Sequence, residues 1–205
     1  MSEPGLLPLP VVDGLELEEH LRAALRPGEL LRDRAGQAHR LPRWFYEVES
    51  WQTAREVRLA EHFTLQELLE VDVREAEPLQ PFPRYVPCTV TLLAAHLELF
   101  RQAAGTYVHV AANGGYRSPG HDLVDYASPH CWGAAANIYK VGDEYVDTQE
   151  RIERYAQLAQ RAAPGLWTRP YGGERGWADD HLHVDIGHVL LTPRGHGDGD
   201  DEEAG

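Results

Sequence analysis

Imidazole and carboxylate side chains alternate near the C-terminal end of this sequence. His181, His183 and Asp185 are spaced two residues apart, and Asp180 directly precedes them. Successive side chains of a β-strand point to opposite faces, so residues two apart share a face. Another histidine, His130, lies far upstream of this stretch. Histidines and carboxylates that converge from two distant segments are the side chains of a metal site with a general base beside it.

The composition is that of an ordinary globular protein with an acidic surface. The chain has 205 residues, of which 42% are hydrophobic and 25% charged, so it is long enough to bury a sizeable core. Its formal net charge is −14, and the segment 198–203 contributes five of the negative charges. Nucleic acid and anionic membranes repel such a chain, so we expect neither as a partner.

The start of the chain and its cysteines predict a cytoplasmic protein. Residues 1–12 lack the basic segment and apolar core of a secretory signal. No run approaches the roughly 18 apolar residues of a membrane span. Cys88 and Cys131 are too few for a disulfide framework and fit a reducing compartment. These features leave the oligomeric state open.

Residues 1–58 are predicted to form an N-terminal extension. We expect Asp13 to cap a short helix that ends before Pro27. Residues 36–41 are predicted to be a loop. The aromatic segment 44–48 favours a strand or a flap that packs over the main domain.

Residues 59–194 are predicted to form the main domain. Thr64 and Glu67 have the spacing of a capping box at a helix start. Apolar residues at helical spacing predict a second helix that ends at Gly105 and a third that begins at Thr148.

Two strands are expected in this domain, at 106–112 and 181–189, and the segment around His130 is interpreted as extended. Helices and strands mix without regular alternation, which predicts an α+β fold with a small, largely antiparallel sheet flanked by helices. Residues 195–205 are predicted to be an acidic disordered tail.

Three blocks of sequence resemble a known family. They are Gly115-Tyr116-Arg117-Ser118-Pro119, Ser128-x-His130-x-x-Gly133-x-Ala135-x-Asn137 and Asp180-x-x-His183-x-Asp185. In this order they resemble the M15 zinc peptidases, which include D-Ala-D-Ala carboxypeptidases, D-Ala-D-Ala dipeptidases and some phage endolysins. Each block alone is weak evidence, and their shared order makes the resemblance specific.

The resemblance implies a zinc site and a peptide substrate. His130 and His183 match the two histidine ligands of the family, whereas its aspartate ligand is Asn137 here. Asp180 matches the general base. Arg117 matches an arginine that binds substrate or stabilises the tetrahedral intermediate. The implied substrates are short or cell-wall peptides of the D-Ala-D-Ala type.

Neighbouring residues of the same blocks receive supporting roles. We assign Tyr116 and Ser128 to substrate binding, and His181 and Asp185 to the orientation of the ligands. We interpret Cys131 as a small core residue. Three further histidines are expected to be structural or surface residues: His62, His96 and His109.

Asn137 leaves two main functions open. An asparagine ligand makes the zinc-bound water more acidic but holds the metal less tightly than aspartate does. The first function is zinc-dependent hydrolysis of short peptides. The alternative is a catalytically inactive M15-like module that binds peptides without metal. A third interpretation is a scaffold whose N-terminal segment, with its aromatic residues around Trp44, covers the cleft. An endolysin role is disfavoured, because an anionic wall repels an acidic enzyme.

Overall fold

The structure, a computed structural model, describes residues 7–173 and 179–196. It has a mixed α+β fold in which the paired strands run antiparallel, which confirms the predicted fold class. The helices are α1 (Glu19–Leu25), α2 (Trp51–Glu56), α3 (Leu65–Leu69), α4 (Val90–Ala104) and α5 (Gln149–Ala162), with short 3-10 helices at Gly14–Glu16 and Pro129–Trp132.

Two larger sheets and two hairpins contain the strands. A five-stranded sheet has the order β10-β9-β12-β11, with β8 also paired to β9, and a three-stranded sheet has the order β1-β4-β7. The pairs β2-β3 and β5-β6 form the hairpins. The strands are β1 (Val11–Asp13), β2 (Leu30–Arg32), β3 (Ala38–Arg40), β4 (Trp44–Glu47), β5 (Arg58–Ala60), β6 (Phe63–Thr64), β7 (Tyr85–Pro87), β8 (Val108–Val110), β9 (Ala135–Val141), β10 (Glu144–Tyr145), β11 (Trp167–Thr168) and β12 (Leu182–Asp185).

The helix boundaries in the main domain follow the predicted signals. At the start of α3, the Thr64 amide donates to the Glu67 carboxylate over 2.8 Å, which completes the capping box. Helix α4 ends at Gly105, whose φ of 66° is the left-handed conformation that glycine adopts readily. The Thr148 side chain caps α5 by accepting from the Arg151 amide.

The N-terminal segment shares a sheet and a core with the main domain. Strands β1 and β4 pair with each other, and β4 pairs with β7. Leu25 and Phe45 belong to the same buried cluster as Leu93 of α4 and Leu182 of β12. Burial of each such side chain contributes about 1.5–3 kcal/mol, so the N-terminal segment adds to the stability of the main domain.

Two predictions for the N-terminal segment were wrong in detail. The predicted loop at 36–41 contains β3, which pairs with β2. The turn closes because the Asp33 carboxylate accepts from the Gln37 amide at 2.9 Å and Gly36 adopts a φ of 84°. The helix predicted from Asp13 is divided into the 3-10 helix Gly14–Glu16 and α1. The division occurs because Glu18, which lies between them, has a non-helical ψ of 150°.

Two predictions near the functional residues were also wrong in detail. The segment around His130 is a 3-10 helix and not extended, because Pro129 favours a helical start and Gly133 ends the turn at a φ of 64°. The last strand covers only the first part of 181–189. The predicted disordered tail from 197 onward lies outside the described residues, and no described helix has the length and apolar character to cross a bilayer.

Candidate functional site

His183 lies on β12 directly opposite Asn137 on β9. Its Nδ1 atom is 3.0 Å from Asn137 Oδ1, and its Nε2 atom is 3.0 Å from Asp185 Oδ2. All three side chains are buried. Opposed residues of paired strands have neighbouring side chains, and residues two apart share a face, so the register itself brings the three together.

These contacts restrict the hydrogen-bonding roles of the two His183 ring nitrogens. Asp185 is fixed as an acceptor, because it also accepts the Gly187 amide at 2.8 Å. When His183 Nε2 donates to this carboxylate, a neutral ring presents the Nδ1 lone pair to the oxygen of Asn137. Two facing acceptors are satisfied by a proton on Nδ1, by a rotated Asn137 amide or by a bound cation.

His130 is oriented by the main chain. The buried ring belongs to the 3-10 helix Pro129–Trp132, and its Nδ1 donates to the Gly115 carbonyl over 2.7 Å. Gly115 packs so closely on Leu68 that a Cβ atom there would collide with the Leu68 backbone. The other ring nitrogen, Nε2, has no hydrogen-bond partner within 7–173 and 179–196, so it keeps its lone pair.

The structure brings His130 and His183 together from distant parts of the chain. Their ring centroids are 5.1 Å apart and the rings are inclined at 65°. Two imidazoles on one tetrahedral zinc ion have ring centres about 5 Å apart, given a Zn–N distance of about 2.1 Å. Each ring has one nitrogen held by an oxygen acceptor, an arrangement that orients metal-binding histidines. The spacing of the two rings therefore allows them to share one metal ion.

Arg117 lies beside His130, and its positive charge disfavours a second positive charge on that ring. Its backbone amide donates to the His130 carbonyl over 3.3 Å, and its Nε donates to the Asn113 carbonyl over 2.8 Å. Burial lowers the pKa of His130 well below its usual value, and the charge of Arg117 lowers this pKa further. The ring therefore stays neutral, which is the form that binds metal.

The Asp180 carboxylate pairs with His181 and not with His130 or His183. Its carboxylate is exposed, and Oδ1 is 2.7 Å from Nδ1 of His181. It makes no hydrogen bond with His130, Asn137 or His183. Burial lowers the pKa of His181, although its hydrogen bond with Asp180 acts in the opposite direction. The predicted base and the predicted orienting residue His181 therefore pair with each other.

Tyr116 and Ser128 are buried, which does not support their predicted contact with substrate. Tyr116 is 1% exposed, and its hydroxyl has no hydrogen-bond partner among the described residues. Ser128 is 4% exposed, and its carbonyl accepts the Cys131 amide over 2.9 Å. Cys131 is a free, buried cysteine, as expected for a small core residue.

A pocket of about 240 Å³ opens beside His183 and Asp185. Trp167 and Arg169 form part of its wall, and the turn of the β2-β3 hairpin at 33–35 forms another part. Nothing in the sequence marked these wall residues, since they lie outside the three blocks. The hairpin, rather than the aromatic residues around Trp44, borders the pocket, because Trp44 lines a separate pocket with Leu190 and Leu191.

A second group of side chains could hold a metal ion. Ligand atoms of Glu61, His62 and Glu98 all lie within 4.8 Å of one another, at the turn between β5 and β6 and on α4. Glu98 accepts from the His62 amide at 2.9 Å, and its other oxygen is 2.9 Å from His62 Nδ1. The sequence predicted a structural or surface role for His62, and these hydrogen bonds with Glu98 fit that role.

Comparisons with known proteins identify no family for the chain: no family model, no curated protein and no solved structure matches it.

Proposed function

We propose that the chain is a zinc-dependent hydrolase of short peptides, of the D-Ala-D-Ala type that the motif resemblance implies. The observation that supports this proposal best is the 5.1 Å approach of His130 and His183, each with one ring nitrogen held by an oxygen acceptor. His130, His183 and Asn137 would hold the zinc ion, which when bound would act as a Lewis acid and lower the pKa of water.

The remaining roles, which are to orient the imidazoles, accept a proton and stabilise charge, belong to residues of the chain. The Gly115 carbonyl and the Asp185 carboxylate fix the orientation of the two imidazoles. Asn137 contributes a neutral amide oxygen on the same side of the site. Asp180 becomes the proton acceptor for water once its carboxylate turns away from His181, a local rotation of an exposed side chain. Arg117 holds positive charge beside the site, where negative charge develops on the peptide carbonyl oxygen.

Two observations favour a second function, a peptide-binding module without catalysis. Asn137 carries no negative charge to balance a dication, and Arg117 adds positive charge nearby. Asp180 is bonded to His181 and not to either histidine of the site. A cleft with these properties still binds a peptide through the pocket beside His183.

Metal analysis combined with peptide hydrolysis separates the two functions. The peptidase proposal predicts stoichiometric zinc at saturating metal and cleavage of D-Ala-D-Ala. It also predicts that Asp180→Asn lowers the turnover by about 100-fold or more while zinc stays bound. The binding-module proposal predicts no cleavage of any peptide in a broad panel, and peptide affinity that chelator leaves unchanged.

A paired control identifies which cluster holds the metal. His183→Ala removes a ligand of the proposed site. His62→Ala removes the histidine of the group formed by Glu61, His62 and Glu98. Loss of zinc in the first variant and retention in the second supports the proposed site. The reverse pattern would place the metal at the turn between β5 and β6, and the peptidase proposal would be wrong.

A further inference from the structure

We infer that Trp167 is a substrate-binding residue whose indole packs against a small apolar side chain of a short peptide. The inference rests on the proposed function, because it assigns the chemical class of the side chain that enters the pocket beside His183. Trp167 is 48% exposed and lines this pocket together with His183 and Asp185.

The strand register places Trp167 on the same face as the histidine site. Trp167 of β11 lies directly opposite Asp185 of β12, and opposed residues of an antiparallel pair have neighbouring side chains. Asp185 and His183 are two residues apart, so they share that face. The centroids of the indole and imidazole rings are 6.0 Å apart, and the rings meet edge to face at 69°. A ligand group that lies beside His183 in the pocket is therefore also close to the indole.

The residues on either side of Trp167 fix the backbone that carries it. Leu166 is buried in the main hydrophobic core, and Thr168 is buried with its hydroxyl accepting from Gln160 Nε2 over 2.7 Å. Buried and exposed residues alternate here, as expected for a strand with one face packed on the core. The backbone therefore holds the indole at a defined place in the pocket wall.

The charged side chains of the pocket already have partners within the protein. Asp33 Oδ2 is 2.8 Å from His39 Nε2, and Asp185 Oδ2 is 3.0 Å from His183 Nε2. The two arginines of the lining also interact within the protein. The lining therefore favours a ligand group that carries no charge.

The size and the apolar part of the lining indicate which group this is. Three further lining residues have wholly apolar side chains: Ala35, Ala127 and Pro129. The indole of Trp167 adds a large apolar surface to them. A volume of about 240 Å³ is below the roughly 300–1,000 Å³ of pockets for drug-sized ligands. A methyl group or a similarly small apolar side chain fits such a pocket.

A proton NMR titration of the full chain with D-Ala-D-Ala, in the presence of chelator, tests the inference without hydrolysis. The ring current of an indole shifts the signal of a methyl group packed on its face upfield. We therefore expect an upfield shift of at least one methyl signal of the bound dipeptide. Gly-Gly, which lacks both methyl groups, should bind at least about fourfold more weakly, the ratio for one buried methyl-sized group.

Variants at position 167 show whether the indole is the source of this shift. Trp167→Leu keeps an apolar side chain without a ring, so it should abolish the upfield shift and weaken binding by about threefold or more. Trp167→Phe should retain part of both effects. Tyr145→Leu is the matched control, because Tyr145 is an exposed aromatic residue of β10 that does not line the pocket. It should keep the shift and the affinity.

The inference is overturned when Trp167→Leu keeps the upfield shift, when Tyr145→Leu loses it as well, or when Gly-Gly binds as tightly as D-Ala-D-Ala. It is also overturned when neither dipeptide binds. Hydrolysis by the zinc-loaded protein is measured separately. An upfield shift that depends on Trp167, without hydrolysis, removes the peptidase proposal and leaves the role of Trp167 in place.

Discussion

Two regions of the molecule pair a buried carboxylate with a histidine, and they do so in opposite ways. At the turn between β5 and β6, Glu98 binds both the backbone amide and the Nδ1 atom of His62. On β12, Asp185 binds the Nε2 atom of His183 and leaves Nδ1 facing Asn137. The first carboxylate fixes a turn of the backbone, whereas the second directs an imidazole toward a second ring, that of His130.

This difference shows why proximity of ligand types alone does not define a metal centre. The group at Glu61, His62 and Glu98 has the richer set of charged ligands, but its buried carboxylate is already satisfied. The group around His183 has fewer charges; Nδ1 of His183 lies 3.0 Å from the Asn137 amide oxygen, and His130 engages only its Nδ1 atom among the described residues. Variants at these two groups distinguish whether orientation or charge limits metal binding at the proposed site.

The largest effect is expected from Asn137→Asp. A carboxylate at this position adds a negative charge next to a dication, and unit charges about 4 Å apart interact by about 4 kcal/mol at an effective dielectric constant of about 20. Even a partial gain of that energy raises zinc affinity by about 100-fold or more. Competition with a chromophoric chelator measures this affinity. An unchanged affinity would show that charge does not limit binding at this site.

A smaller change in zinc affinity is expected from Asp185→Asn. Removal of the carboxylate that orients His183 should lower zinc affinity by about 10- to 100-fold, as for other partners of metal-binding histidines. Asp143→Asn serves as the control, because Asp143 is exposed and distant in the sheet register from His183. Equal affinities in the two variants would mean that Asp185 does not orient the ring for metal.

The hydrogen bonds between Glu98 and His62 predict a loss of stability when Glu98 is replaced. Glu98→Gln should lower the free energy of unfolding by about 2 kcal/mol, because charge-assisted hydrogen bonds to His62 become neutral or mismatched. Glu61→Gln, at an exposed carboxylate, should change it by less than about 0.5 kcal/mol. Urea denaturation of both variants measures the difference. A loss of zinc binding in Glu98→Gln would contradict the assignment of this pair to structure.

A further histidine extends the comparison, because His121 also faces an asparagine oxygen but has no carboxylate bonded to it among the described residues. His121 Nδ1 accepts the Leu123 amide at 3.0 Å, so Nε2 carries the proton and donates to Asn113 Oδ1 over 2.8 Å. Burial lowers the pKa of His121 below its usual value near 6.5. At His121 the unfolded chain therefore binds more protons than the folded chain below pH 6.5, so the contribution of this residue to stability falls as the pH decreases through this range.

Replacement of His121 should flatten the pH dependence of the free energy of unfolding. His121→Leu is expected to reduce the slope of unfolding free energy against pH below 6.5 by at most about 1.4 kcal/mol per pH unit, the value for one proton. Urea denaturation at several pH values between 5 and 8 measures the slope. An unchanged slope would show that His121 is protonated to the same extent in both states.

Local signals in the sequence predicted the three helices α3, α4 and α5 and part of the site. The capping box at Thr64 and the stop at Gly105 act through nearest neighbours, so they are visible without tertiary structure. The ordered blocks anticipated that His130 and His183 converge. The register between β9 and β12 then determines that Asn137 lies opposite His183, and no local signal specifies such a register.

Other features depend on contacts that the sequence does not reveal. Tyr116 adjoins Arg117 in the chain but faces the core, because the close packing of Gly115 on Leu68 directs the following residue inward. Asp180 has the spacing of a base, but spacing does not determine the direction of an exposed side chain. The β2-β3 hairpin reaches the pocket through long-range contacts, such as the hydrogen bond from Trp132 to Arg40.

The anchoring of His130 by the main chain has a consequence for how the site tolerates mutation. The acceptor is a peptide carbonyl, so no exchange of side chains can delete it, in contrast to the carboxylate that supports His183. The vulnerable position is Gly115 itself, where even a methyl group would push the loop away from Leu68 and carry the carbonyl with it. The geometry of one imidazole is therefore encoded by the absence of a side chain, and that of the other by the presence of one.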